Sequence, residues 1–234
     1  MKTEKYENKY ISILGDSIST FEGVSVPKDG VFYDLGRKLS SGVTTLSKTW
    51  WGIVLEGLKA NLLVNNSVSE STVTWRDSYE VQSYGCSDRR TGSLDINGVK
   101  PDVIIVALGV NDWGLGVKIL GENEKDFSAF SNAYNEMLRK LKTNYPLAEI
   151  WCLTSAKSFC SNTANFEFPL GKGGVHLEEY CKAIMQCAKE NGCLSIDLYN
   201  NMNAYDTIDG FHPNATGMET IAKAILSRLE NIEQ

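Results

Sequence analysis

The chain has 234 residues, 42% of them hydrophobic, with 23 basic and 29 acidic side chains for a formal net charge of −6. That is enough apolar material for the core of one large α/β unit; without a linker-like stretch, a charge run or a fixed-period repeat, one domain over 1–234 is expected. An acidic balance with no basic stripe to follow a phosphate backbone argues against nucleic acid, and no stretch is long and apolar enough to cross a bilayer.

The opening Met1 to Tyr10 has no apolar core of a signal peptide and no cleavage signal. Six cysteines in a chain this long make no dense disulfide framework, and free buried thiols suit a reducing cytoplasm. A secreted protein trimmed of its signal peptide would read the same way. With no Cys-x-x-Cys and only two histidines, a zinc site is not expected; the chain also lacks the glycine-rich phosphate fingerprint of flavin and nucleotide binders, so no organic cofactor is expected.

Tyr10 to Gly15 is a short, β-branched, uncharged run of the kind that forms an inner strand of a parallel sheet. It runs straight into Asp16 and Ser17, which places a hydroxyl at the carboxyl end of the strand, where open α/β sheets bind ligands. Read alone, Gly-Asp-Ser is equally an ordinary turn. The stretch from Glu22 to Ser47 holds Pro27, Gly30, Gly36 and Gly42 with Phe32 and Tyr33; it is expected to be irregular and to form a rim or lid over the site. Trp50, Trp51, Val54, Leu55 and Leu58 recur at helical spacing and predict a first amphipathic helix.

Leu62 to Asn65 predicts a second strand, followed by the polar Asn66 to Thr72. A meander with Arg76, Arg89 and Arg90 leads to Pro101 to Leu108, the most apolar run in the chain and so the middle of the sheet. It ends in Gly109-Val-Asn-Asp112, with Trp113 and Gly114 beyond. From Glu124 a helix is predicted with Phe127, Phe130, Tyr134, Met137, Leu138 and Leu141 on one face, stopping before Pro146. Glu149 to Thr154 is a fourth strand. A second irregular rim loop, near 155–175, precedes a helix bearing Leu177, Cys181, Ile184 and Ala188, which Asn191-Gly192 terminates. Cys193 to Leu198 is a fifth strand. Asp209-Gly-Phe-His-Pro-Asn214 then precedes a last helix with Met218, Ile221, Ala222, Ile225, Leu226 and Leu229.

Strands alternating with helices predict a parallel sheet with helices on both faces and right-handed crossovers. Every strand-to-helix loop then leaves the same edge, so Ser17, the 65–72 loop, Asn111 and Asp209 to His212 converge although they are scattered over the sequence. A serine hydroxyl is a poor nucleophile until a neighbouring base takes its proton, and imidazole is the usual base near neutral pH. Of the two histidines, His176 opens a helix with no carboxylate in the preceding turn and reads as structural. His212 follows Asp209 by three residues, close enough for the carboxylate to hold one ring nitrogen while the other faces Ser17; the bland alternative is a helix cap beside a surface histidine. Asn111 offers a neutral side-chain amide and Ser17 its backbone N–H to a developing oxyanion, with a third donor expected from the loop after strand two.

Gly15-Asp-Ser-Ile18, Gly109-Val-Asn-Asp112 and Asp209-Gly-Phe-His212 resemble the first, third and fifth sequence blocks of the SGNH (GDSL) hydrolase superfamily, in order and in overall spacing. The resemblance spans Gly15 to His212. It implies a flavodoxin-like, three-layer α/β/α fold with about five parallel strands, and ester hydrolysis through an acyl-serine intermediate. It assigns Ser17 as nucleophile, Asp209 and His212 as its triad partners, and Asn111 as oxyanion donor. Asp16 and Asp112 within these blocks, Trp113 beside the third, and Asn66 at the start of the second-block stretch are assigned to substrate binding. The second block departs from the family: Glu70 stands where a glycine is expected to give a backbone N–H, a carboxylate there would oppose an oxyanion, and a non-glycine residue resists positive φ. The donor is then the Glu70 backbone or a neighbour such as Ser69.

The expected substrate is a small-molecule ester with a short acyl group such as acetate, carried on an alcohol such as a carbohydrate, because no long apolar acyl tunnel is identifiable. Three rivals stand beside it: a thioesterase, a phospholipid-acting lipase, and a small-molecule binder on the same scaffold whose oxyanion hole has lapsed. Oligomeric state is not legible.

Overall fold

The structure, a computed structural model, describes residues 2–25, 30–75 and 84–232. Arg76, and with it Pro27 of the first rim stretch, lies outside the described residues. In chain order the elements are β1 (Tyr10–Gly15), α1 (Leu35–Ser41), α2 (Trp50–Leu58), β2 (Asn61–Ser67), α3 (Asp88–Thr91), β3 (Val103–Ala107), α4 (Val110–Gly114), α5 (Phe130–Asn144), β4 (Glu149–Leu153), β5 (Ser158–Phe159), α6 (Leu177–Glu190), β6 (Leu194–Ile196), α7 (Leu198–Asn201), β7 (Tyr205–Asp206) and α8 (Ala215–Ile232).

The central sheet has five strands, all parallel, in the order β2-β1-β3-β4-β6. From β1 the chain moves outward to β2 on one side and then returns to β3 on the other. The order therefore reverses between β1 and β3, and the loops leaving those two strands diverge to leave a crevice, the place where doubly wound sheets bind ligands. Ser17 follows β1 and Asn111 follows β3, so both border it.

Alternation along the strands divides the core in two. Ile11, Ile13, Val103, Ile105, Trp151, Leu153 and Ile196 face Trp50, Trp51 and Val54 of α2 and Met218, Ile221 and Ile225 of α8. Ile104, Val106, Ile150 and Cys152 face the other way, onto Phe130, Tyr134, Met137 and Leu141 of α5 and Cys181, Ile184 and Cys187 of α6. Each fully buried aliphatic or aromatic side chain in these layers contributes about 1.5–3 kcal/mol relative to exposure. That two-sided burial is why β1 and β3 are uniformly apolar while α5 and α6 carry one apolar face.

Besides the unforeseen short helices α3, α4 and α7 and a fifth strand that ends at Ile196, before Leu198 opens α7, the elements differ from the sequence-based expectation in four further places. β2 runs on through Asn66 and Ser67, which pair with Leu14 and Gly15 instead of starting a loop. The rim stretch near 22–47 carries the two-turn helix α1, capped by Asp34, whose side chain accepts the Arg37 N–H, and closed by Gly42 at φ 74°. α5 begins at Phe130 rather than Glu124, because Asn123 to Ala129 folds into successive turns closed by Asp126 N to Asn123 O and Ala129 N to Asp126 O. The 155–175 stretch supplies β5, which pairs with β7 as a separate two-stranded ribbon. None of these short pieces has enough residues to show a period in the sequence.

Among the described residues all six cysteines are free thiols, no helix is long and apolar enough to cross a membrane, and no cluster of three or more His, Cys, Asp or Glu side chains is placed to hold a metal ion.

Candidate active site

β1 ends at Gly15, where the chain passes so close to its neighbours that a Cβ would lie 2.7 Å from Ser19 Cβ and 2.8 Å from Ser67 Oγ. Only glycine fits there. Asp16 then caps a single 3-10 turn, Ser17–Ser19, by accepting the Ile18 N–H at 3.0 Å. This turn raises the Ser17 hydroxyl at the carboxyl edge of the sheet, on the floor of an open cleft.

The segment before α8 brings the partners. Asp209 folds it into a tight loop: Oδ1 accepts the N–H of Phe211 at 3.0 Å and of His212 at 2.8 Å, while Oδ2 lies 2.7 Å from His212 Nδ1. Gly210 is needed inside this loop, since its φ is 96° and a Cβ would stand 2.7 Å from the Phe166 ring. The other ring nitrogen, Nε2, is 2.9 Å from Ser17 Oγ across 195 residues of sequence. Burial works against the charge on Asp209, but the ring and main-chain N–H groups of His212 and the N–H of Phe211 bring its carboxyl down to about 2. Near neutral pH it is an anion that fixes the imidazole tautomer with hydrogen on Nδ1 and leaves Nε2 to accept a proton from the hydroxyl.

Asn111 sits in the first turn of α4, after Gly109, whose φ of 130° only glycine adopts readily. One of its two amide N–H groups is spent on Ser71 O at 2.9 Å, which ties α4 to the loop after β2. In that loop Glu70 adopts the left-handed conformation, φ 63°, that a glycine would take without strain, and its side chain is exposed. Its neighbours are engaged: Ser69 N donates to Gly30 O at 2.6 Å and Ser71 N to Val68 O at 3.2 Å. Ser69 is therefore corrected as a candidate backbone donor, because its N–H already closes the loop against the first rim stretch.

The cleft has two lobes that share Ser17, Asn111 and His212. The larger, about 440 Å³, is walled by Gly30, Val31, Phe32, Arg37, Ser69 and Glu70. The smaller, about 250 Å³, is walled by Ile18, Val110, Gly114, Leu115 and Phe211. The rim stretch thus does border the site, through Gly30 to Phe32 and Arg37.

The four residues assigned to substrate binding do not line either lobe. Asp112 is fully buried and receives Val73 N at 2.8 Å, Thr74 N at 3.1 Å and Thr74 Oγ1 at 2.8 Å. It anchors the 71–74 loop to α4. Burial, against those hydrogen bonds, pushes its carboxyl up to about 6. Trp113 is buried, stacked on Phe168 with ring centroids 5.4 Å apart, and its Nε1 donates to Val175 O at 3.0 Å. Asn66 donates to Ser93 O at 3.2 Å beneath the sheet edge. Asp16 is buried and lines a separate 60 Å³ pocket, and burial pushes its carboxyl up to about 7 against the pull of the Ile18 N–H and the Arg90 charge. Polar residues next to a site motif are read as substrate contacts when they are in fact the struts under it. His176 is exposed at the start of α6 and away from the cleft.

Sequence reading passed over Arg90, which α3 buries under the site. Its guanidinium donates to Ser71 Oγ at 2.7 Å, Gly15 O at 2.9 Å and Asn66 O at 2.8 Å, joining the ends of β1 and β2 to the 71–74 loop. Burial pulls it down, while the Asp16 charge pushes the other way. The only signal in the sequence was an arginine in a meander, beside Arg89 and Asp88, with nothing to mark it as buried.

A family model for GDSL-like lipases and acylhydrolases matches residues 9–165. Among solved structures, a GDSL-like lipase from Bacteroides ovatus is 26% identical with a TM-score of 0.72, covering 96% of this chain and 99% of that one. A GDSL-like lipase from Bacteroides uniformis is 27% identical with a TM-score of 0.69, over 95% of this chain and 96% of that one. A carbohydrate acetylesterase from Sinorhizobium meliloti shares the fold at 14% identity and a TM-score of 0.66, over 96% of this chain and all of that one, 100%. A comparison with curated proteins returns no match.

Proposed function

Because the chain belongs to the GDSL-like lipase/acylhydrolase family, whose enzymes hydrolyse esters, we propose that it is a serine esterase working through Ser17, His212 and Asp209. The observation that carries this reading is the unbroken line Asp209 Oδ2, His212 Nδ1, His212 Nε2, Ser17 Oγ, with separations of 2.7 and 2.9 Å at its two hydrogen bonds. Nε2 takes the hydroxyl proton as Oγ attacks the ester carbonyl carbon, and the Asp209 anion stabilises the imidazolium. The tetrahedral oxyanion is held by an N–H of the Asn111 amide and by the backbone amides of Ser17 and Glu70, with Ser69 and Ser71 committed elsewhere. On collapse, His212 returns the proton to the leaving alcohol oxygen. Water then attacks the acyl-Ser17 ester by the same steps in reverse order.

The substrate we propose is a short acyl ester of a polar alcohol. Supporting this are the small apolar lobe, suited to an acetyl- or butyryl-sized group, and the larger lobe with Arg37, Glu70 and Ser69, suited to an alcohol rich in hydroxyls such as a carbohydrate. The likeness in fold to a carbohydrate acetylesterase agrees with it. Six free thiols support a reducing compartment.

The test is hydrolysis of p-nitrophenyl acetate and butyrate by wild type and Ser17→Ala, with mass spectrometry after a fluorophosphonate probe. Turnover lost in the variant and a single adduct on Ser17 is the expected result. Turnover that survives Ser17→Ala, or an adduct elsewhere, overturns the assignment.

A further inference from the structure

The face of His212 that looks into the larger lobe is not open. Phe32 lies flat on it, with ring centroids 3.4 Å apart and an interplanar angle of 10°. Behind Phe32, the Arg37 guanidinium covers the opposite face at 4.6 Å, and Asp34 holds that guanidinium at 3.1 Å. The next residue, Tyr33, is fully buried and donates its hydroxyl to Pro213 O at 2.7 Å, immediately after the histidine. Consecutive residues of the rim stretch thus grip His212 and Pro213, one by ring stacking and one by a hydrogen bond.

The same pair is registered to the nucleophile. Thr20, fully buried, donates its hydroxyl to Ser17 O at 2.8 Å and accepts the Phe32 N–H at 2.9 Å. The contacts close a ring: Ser17 main chain, Thr20 hydroxyl, Phe32 backbone, Phe32 ring, His212 ring, Ser17 hydroxyl. Asp209 fixes the imidazole at one edge but leaves it free to rock about the Nδ1 hydrogen bond, and a flat ring against its face removes that motion. From this geometry we infer that Phe32 and Tyr33, referenced to Ser17 through Thr20, are positioning residues that hold His212 Nε2 on the Ser17 hydroxyl. Misplacement of a reacting group by about 1 Å costs up to about 100-fold in rate, so the clamp belongs to the chemical step and not to substrate affinity.

The inference rests on the reading of Ser17 and His212 as nucleophile and base, and Ser17→Ala tests that reading separately. In wild type, Phe32→Ala, Phe32→Leu, Phe32→Tyr and Tyr33→Phe, kcat and KM for p-nitrophenyl acetate are measured beside the rate of fluorophosphonate labelling of Ser17 and the thermal midpoint. Phe32→Ala and Phe32→Leu should each lower kcat and the labelling rate about 10- to 100-fold, with KM within about threefold. Phe32→Tyr should restore them, and Tyr33→Phe, which removes one hydrogen bond and no volume, should lower kcat about three- to tenfold. Wild-type rates in Phe32→Leu, or an effect carried by KM alone, overturn the clamp while leaving the esterase intact. A proton NMR measurement needs no turnover and no particular ester. The low-field Nδ1 proton of His212, identified by its absence in His212→Gln, should be seen in wild type and Phe32→Tyr and be lost to exchange in Phe32→Ala. Its persistence in a folded Phe32→Ala protein overturns the inference.

Discussion

Asp112 gives the sharpest separation between a strut and a substrate contact. Asp112→Ala leaves the Val73 and Thr74 N–H groups without their acceptor in a buried place, while the Thr74 hydroxyl can turn elsewhere. Two orphaned donors cost about 2–6 kcal/mol together. Against this stands the cost of burying a charge, which lifts the carboxyl from 3.8 to about 6. The folded state therefore holds the Asp112 proton more tightly than the unfolded chain. That contribution is fully present below about pH 4 and is lost as pH rises through about 6; between pH 5 and pH 8 it changes by about 1 kcal/mol. Urea denaturation of wild type and Asp112→Ala should accordingly show a variant less stable at both pH values, with the gap wider at pH 5 by about 1 kcal/mol. Steady-state kinetics on the same samples should show kcat reduced, because Asn111 and the 71–74 loop lose their anchor, and KM within about threefold. A pH-independent gap refutes the burial argument. A KM raised tenfold at unchanged kcat restores Asp112 to the substrate.

Asp16 obeys the same sign: its rise from 3.8 to about 7 corresponds to about 4 kcal/mol of stability present at acid pH and lost as pH climbs through 7, so Asp16→Asn should flatten the stability profile between pH 5 and 8, and an unchanged slope counts against it. Asp209 runs the opposite way, its lowered carboxyl stabilising the fold above about pH 4 and losing that share as pH falls through about 2; Asp209→Asn should remove the acid-side loss and lower kcat at pH 7 by about 10³- to 10⁴-fold, both read from matched denaturation and initial-rate series. Arg90→Met, which strips three acceptors of a buried guanidinium, should cost about 3–5 kcal/mol in denaturant titration, and Arg90→Lys should recover less than half, since one ammonium cannot span the three. Glu70→Gly, relieving a residue at φ 63°, should leave stability equal or higher by up to about 1 kcal/mol and change kcat for p-nitrophenyl acetate by less than about threefold; a larger rise would mean that the carboxylate reaches the oxyanion.

What the sequence reveals and what it hides follow from the range of the interactions. β1 and β3 are legible because burial on both faces demands uninterrupted apolar residues, and α5, α6 and α8 because one buried face imposes a period. Ser17, Asn111 and the pair Asp209 and His212 are legible because each follows a strand or precedes a helix in a sheet whose loops share one edge. The supports are not legible in the same way. Arg90 acts on Gly15, 75 positions away, and Tyr33 on Pro213, 180 positions away, so neither leaves a local pattern. Phe32 was visible only as an aromatic in a glycine-rich stretch, and its partner is a ring from the other end of the chain. Asp112 misled for a related reason: a carboxylate beside a site asparagine looks like a ligand group until its burial and three donors are known.

Glu70 brings these strands together. A glycine at that place would tolerate the left-handed backbone, and its absence suggested a damaged oxyanion hole. Yet the loop is held on both sides of Glu70, by Ser69 N on Gly30 O and by Ser71, whose Oγ receives Arg90 and whose carbonyl receives Asn111. Such surroundings can keep a non-glycine residue at positive φ at a cost of about 1–2 kcal/mol. In the proposed mechanism the backbone amide is what the oxyanion requires, and it stays where a glycine would have put it. The side chain is exposed at the rim of the larger lobe, the lobe that the proposed mechanism gives to the alcohol portion of the substrate. On the proposed mechanism, the departure from the family pattern bears on the polar lobe, and the chemical step stays with Ser17, His212 and the clamp behind them.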